Sequence, residues 1–212
     1  MDILKPQKVL FENTRKIENL LDEINIDDEI ENISIEDYNK ERIEFVDVTI
    51  RRSIINNTSL IGGDLEKDTF IDVVFNNCNF SNTLFENCSF IRCEFNNCKL
   101  TGCNFIETGF CDISFIDTNM NYVNISMSNI KNVLFKNTTL RNSDFQEDKM
   151  KNILLDEADF TKSTIFKTSL NEIDFSNSIM EGMAVSIEDI KGAIINVNQA
   201  FDLLYLLGVK VK

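Results

Sequence analysis

Cysteines are the side chains in this sequence most ready to do chemistry. Five of the six, Cys78, Cys88, Cys93, Cys98 and Cys103, sit ten or five residues apart, and Cys111 follows. Such density would suit a disulfide framework or a thiolate zinc site. Zinc is disfavoured, because the chain has no histidine and no CxxC pair. The five spaced cysteines each fall two residues before an apolar residue, in a slot that elsewhere holds Thr58, Val73, Thr83, Ile113, Ser143 and Ala158. A slot open to Cys, Thr, Val, Ser and Ala selects for small size, so buried, reduced thiols in a reducing compartment are expected. Cys111 alone lies outside the slot and is expected nearer solvent.

Carboxylates are the other candidates, since the chain has 35 Asp and Glu against 21 Lys and Arg. General acid–base catalysis needs convergent groups in a pocket. The sequence has no GxSxG, P-loop or GxGxxG pattern. No catalytic, cofactor-binding or metal-binding residue is therefore expected, and the chain does not read as an enzyme. Its formal net charge of −14 repels nucleic acid and anionic membranes, so direct binding to either is not expected. With no run of eighteen apolar residues and no signal-like h-region in "MDILKPQKVLFENTRK", a cytoplasmic location is expected.

The elements that must position these groups are set by a period of five. In "CNFSNTLFENCSFIRCEFNNCKLTGCNF", apolar residues recur at Phe80, Phe85, Phe90, Phe95, Leu100 and Phe105. Neither the 3.6-residue period of a helix nor the two-residue period of a strand keeps these on one side. The register runs without insertion from Phe45 to Met180, and weakly on to Val185 and Ile190. If the apolar residue and the small one two before it both point inward, four such units close a square coil of twenty residues. Stacked coils at roughly 4.8 Å would carry phenylalanine ladders inside and Asn-rich corners outside.

The units "CEFNN", "CNFIE", "SDFQE" and "ADFTK" resemble the pentapeptide-repeat family consensus A(D/N)LXX, over residues 43 to about 190. The resemblance implies an all-β solenoid, the right-handed quadrilateral β-helix. On this reading residues 1–42 form an N-terminal extension and cap, 43–190 the β-helix, and 191–212 a C-terminal helical module for dimerisation or capping. In the extension, a helix is expected from Lys8 to about Ile24, ahead of an acidic linker. At the other end the sequence predicts a helix from Asn198, its N-cap, to Leu207, stopped by Gly208. Phe201, Leu204 and Leu207 are its candidate dimer interface, because the helix is apolar over more than one face. The segment is similar to the tail-to-tail dimer module of the family's quinolone-resistance (Qnr) and mycobacterial MfpA members, so a homodimer is expected.

Residues twenty apart stack on one face, so charge can be read by column. Glu44, Asp47, Asp64, Glu66, Glu86, Glu107, Asp144 and Glu147 share a column with only Lys67 and Lys167. The next column carries Arg51, Arg52, Arg92, Lys131, Lys149, Lys151 and Lys191 against Asp72, Asp112, Glu172 and Asp189. Solubility alone would favour surface charge. Segregated charge on a narrow rod also suits imitation of duplex DNA: roughly seven coils make about 35 Å of rod. In Qnr and MfpA such likeness is linked to type II topoisomerases. The resemblance thus implies a non-enzymatic module that binds DNA gyrase or topoisomerase IV and modulates quinolone susceptibility. Many Qnr proteins interrupt the coil with loops and this chain does not, so a scaffold or interaction protein with another partner is the alternative.

Overall fold

The computed structural model describes residues 13–24 and 28–208. They form a parallel β-solenoid of about eight turns with a short C-terminal helix. The cause of the period of five is visible in the backbone. From Asn32 to Glu172 every fifth residue adopts a positive φ, as at Asn57 (48°), Asn77 (54°) and Asn97 (52°). Asparagine tolerates this left-handed conformation better than most residues. Its side chain also bridges coils here: Asn97 donates to Asn77 at 2.7 Å, and Asn77 to Asn57 at 3.1 Å. Between corners the chain is extended, and the apolar residue and the residue two before it both face inward.

Coils stack in register twenty residues apart, as in Phe110↔Ile130 and Ile130↔Met150. Rings therefore lie directly over one another. Phe75, Phe95 and Phe115 stack at 4.5 and 5.0 Å, and Phe70 meets Phe75 edge-on across a corner at 5.7 Å. Such pairs add roughly 0.5–1.5 kcal/mol each beyond their burial.

The coils reach further toward the N-terminus than residue 43. Glu29–Glu31 and Ile33–Glu36 pair with Thr49–Asn56, with Ile30↔Ile50 and Ile35↔Ile55 in register. The expected acidic linker is thus part of the solenoid. Two departures hid it: Lys40 occupies an apolar slot, while the small slot holds the bulky, buried Ile33, Tyr38 and Ile43. One coil earlier the spacing shortens to eighteen, with Arg15↔Ile33 and Ile17↔Ile35. The expected Lys8–Ile24 helix is corrected accordingly. Among the described residues Arg15–Ile17 is a strand and the α-helix is confined to Leu20–Ile24, with Leu20 buried over the first coil; residues 1–12 lie outside the described residues.

At the other end the helix spans Val197–Asp202 and is followed by a 3₁₀ turn, Leu204–Leu207, closed by Gly208 at φ 66°. Its N-cap is Asn196 and not Asn198. Asn196 accepts from the Gln199 amide at 3.1 Å, and Gln199 accepts from the Asn196 amide at 2.8 Å, a reciprocal capping box. Buried Gln199 decides the choice, because its amide group also donates to the carbonyls of Phe175 and Ser178 and ties the helix to the last coil.

Candidate interaction faces

The inward slot does more than accept small residues. Most of its Cys, Thr and Ser occupants donate to the carbonyl 23 residues earlier, as Cys88 does to Leu65 at 2.7 Å, Thr108 to Phe85 at 2.6 Å and Ser128 to Phe105 at 2.8 Å. Cysteine, threonine and serine share this ability, which explains their exchange. Burial pushes the Cys88, Cys93 and Cys103 thiols up to about 12, so these thiols stay protonated. Cys111 is half-exposed and donates to Asp112 at 3.3 Å.

Two carboxyls occupy the same slot and were missed from sequence, although their place two residues before Phe70 and Met150 was legible. Asp68 accepts the Val48 amide and Asp148 the Ser128 amide, each at 2.8 Å through Oδ1, while each Oδ2 is buried with no partner. Desolvation raises both groups to about 7, against the pull of those amides.

Outside, the acidic column divides. Glu44, Asp47, Asp64, Glu66, Glu86 and Glu107 lie on successive coils at one end, none in an ion pair among the described residues. The Glu86 carboxylate is held by Asn104 at 2.9 Å. Asp144 and Glu147 lie beyond a coil whose outward residues, Asn124, Ser126 and Met127, carry no charge, and Glu147 is paired with Lys167 at 2.8 Å. The six form one patch; the other two are separate.

The basic column also divides, and for Arg51 and Arg52 the reason lies in the N-terminal coil. Arg51 pairs with Glu29 at 2.6 Å, Arg52 with Glu31, and Arg92 with Asp72 at 2.6 Å. Lys131, Lys149 and Lys151 are exposed and have no ion pair among the described residues.

At the C-terminal end, Leu203 and Leu206 pack on the core, whereas Ile187, Ile194, Val197, Phe201 and Tyr205 are exposed. Phe201 is 64% exposed and Leu204 half-buried; the Leu207 side chain lies outside what is described. No helix among the described residues is long and apolar enough to cross a membrane. No three His, Cys, Asp or Glu residues among them cluster as metal ligands would.

Residues 88–175 match the family described as the pentapeptide repeat region. No curated protein matches the chain. Among solved structures it is similar to QnrB1, a plasmid-mediated fluoroquinolone resistance protein, at 19% identity over 87% of this chain and 100% of that one, TM-score 0.35. It is similar also to HetL from the cyanobacterium Nostoc sp., a protein involved in heterocyst differentiation regulation, at 12% identity over 75% and 85%, TM-score 0.42. A third is Rfr23 from the cyanobacterium Cyanothece, at 13% identity over 83% and 97%, TM-score 0.39.

Proposed function

The chain is a pentapeptide-repeat protein, and from that premise we propose that it is a non-enzymatic, cytoplasmic protein-binding module whose acidic patch engages a groove built for DNA. The observation that carries this reading is the patch itself: Glu44, Asp47, Asp64, Glu66, Glu86 and Glu107 present carboxylates with no ion pair among the described residues, on one side of a rigid rod. Stacked coils repeat such groups at roughly 4.8 Å, and unscreened like charges on a fixed scaffold favour a cationic counter-surface. A type II topoisomerase, DNA gyrase or topoisomerase IV, offers such a groove. Under this proposal the protein modulates quinolone susceptibility by occupying the enzyme's DNA path, and two copies meet through the apolar C-terminal end to lengthen the rod.

A supercoiling assay with purified gyrase, run with and without quinolone, tests the reading. Reversal of Glu66, Glu86 and Glu107 to lysine weakens the effect while the fold is retained, since all three side chains lie outside the core. No effect of the unmodified protein on gyrase or topoisomerase IV at any concentration would sink the topoisomerase assignment in favour of a scaffold with another partner.

A further inference from the structure

We propose that the open edge of the strand Lys149–Asp156 is a strand-addition site for an extended, acidic peptide segment of a partner protein. The proposal concerns a different face from the acidic patch and stands independently of the topoisomerase reading.

The edge exists because the ladder of coils breaks on one side. Lys149–Asp156 is paired along its whole length with the preceding coil, from Asn129↔Lys149 to Lys136↔Asp156. Toward the following coil the bonds stop. Glu147 donates to Phe166 at 3.0 Å and Glu157 to Asn177 at 3.2 Å; between them the Asp148 amide donates to the Thr168 hydroxyl at 3.0 Å, but no backbone–backbone hydrogen bond joins residues 149–156 to the coil below. By the register of the coils above, the N–H groups of Met150, Asn152 and Leu155 point into this gap. Arg92, at the position of Asn152, donates to Cys111 at 2.8 Å.

The following coil has turned away. It rounds its corners in tight turns, Ile173 donating to Leu170 at 3.1 Å and Ser178 to Phe175 at 2.8 Å, and its next bonds go forward, Leu170 to Asp189 and Phe175 to Ile194. A cleft of about 320 Å³ remains, lined by Met150, Lys151, Asn152 and Ile153 on one wall and by Asn171 and Glu172 among others on the opposite one. Met150 and Leu155 are only partly buried there, whereas Ile130 and Phe135 one coil earlier are 1% and 3% exposed.

Unsatisfied backbone groups along a strand edge are a template for another strand. Charge selects the occupant. Lys131 lies directly opposite Lys151 in the ladder, a like-charge pairing that is unfavourable unless an anion intervenes. Lys149 adds a third cation, and the arginines earlier in the column are already neutralised. Glu172 on the opposite wall leaves the three lysines in excess. An extended segment that alternates apolar and acidic residues meets both demands, with apolar side chains against Met150 and Ile173 and carboxylates toward the lysines.

The test uses the full chain and a fluorescently labelled peptide of sequence Glu-Val-Glu-Val-Glu-Val. Anisotropy is expected to show binding that the Lys149→Glu, Lys151→Glu double variant weakens about tenfold or more, while a Lys-Val-Lys-Val-Lys-Val peptide does not bind. Hydrogen exchange is expected to be fast at Met150, Asn152 and Leu155 in the free protein and slowed in the complex. Should the double reversal fail to fold, Lys149→Gln, Lys151→Gln is read in its place. Exchange at these amides in the free protein as slow as at Ile130, Asn132 and Phe135 would overturn the proposal, as would peptide binding indifferent to the substitutions. A self-association that the reversals abolish would assign the edge to a second copy and overturn it equally.

Discussion

Asp148 accepts the Ser128 amide hydrogen at 2.8 Å from the slot in which Cys, Thr and Ser elsewhere donate to a carbonyl one coil back. Its second oxygen can fill the donor's part only when protonated. The sign of the pH dependence follows. The folded carboxyls of Asp148 and Asp68 titrate near 7, above the ordinary value of 3.8. Between those values the unfolded chain loses protons that the folded chain keeps, so stability falls as pH rises from about 4 to about 7 and stays lowered above that. Asp148→Thr and Asp68→Thr are expected to stabilise the protein at pH 8, by up to roughly 4 kcal/mol each, and to change little at pH 4. Denaturant unfolding at the two pH values measures this; equal effects at both would refute protonated carboxyls.

The thiol slot makes a separate prediction. Cys88→Thr keeps a donor to the Leu65 carbonyl and is expected to cost under about 1 kcal/mol, whereas Cys88→Val strands that carbonyl and is expected to cost roughly 1–3 kcal/mol. Of the cysteines, Cys111 alone should react with a thiol reagent in the folded protein, because the others are buried. Rapid labelling of Cys88 or Cys103 under native conditions would contradict the burial.

Placing residues 29–41 in the solenoid can be tested by truncation of side chains. Ile33→Ala and Ile35→Ala remove fully buried groups and are expected to lose about 2–5 kcal/mol each, measured by urea unfolding. In a solvated linker the same changes would cost nothing measurable.

The proposed twofold assembly depends on the apolar end. Val197→Glu with Phe201→Glu is expected to give a folded monomer by light scattering, since both side chains face solvent in a single chain. A monomer for the unmodified protein at micromolar concentration would leave the helix as a cap only.

The salt dependence of any topoisomerase binding should be steep, because unpaired surface carboxylates act through screened fields. Surface plasmon resonance at rising salt is expected to show weakening mainly through the association rate. A salt-independent affinity would point away from Glu66, Glu86 and Glu107.

What the sequence determined by itself was the coil and its register. Each corner as far as Glu172 is made by one residue at positive φ and each inward pair by strict alternation, so the information is local and recurs every five residues from Phe45 onward. It failed where the locality failed: Lys40 in an apolar slot and the eighteen-residue step at Arg15↔Ile33 concealed the first coils. The N-cap is hidden for a related reason. Asn196 and Asn198 are equivalent by type, and only the contacts of Gln199 with Phe175 and Ser178 distinguish them.

Everything that depends on neighbouring coils was decided by tertiary structure. Glu29 and Glu31 stand outside the sequence repeat, and only the stacking of their coil puts them beside Arg51 and Arg52. The slot of Asp68 and Asp148 is legible by position, but only the stacked coils place one oxygen beside an amide and leave the other buried without a partner. The gap beside Lys149–Asp156 could not be read at all, because Ile153 and Ile173 are the same residue at equivalent corners. One corner is open and bonded to the coil before it, the other is a tight turn bonded to the coil after it. That choice is set by hydrogen bonds between segments some twenty residues apart, which no local pattern encodes.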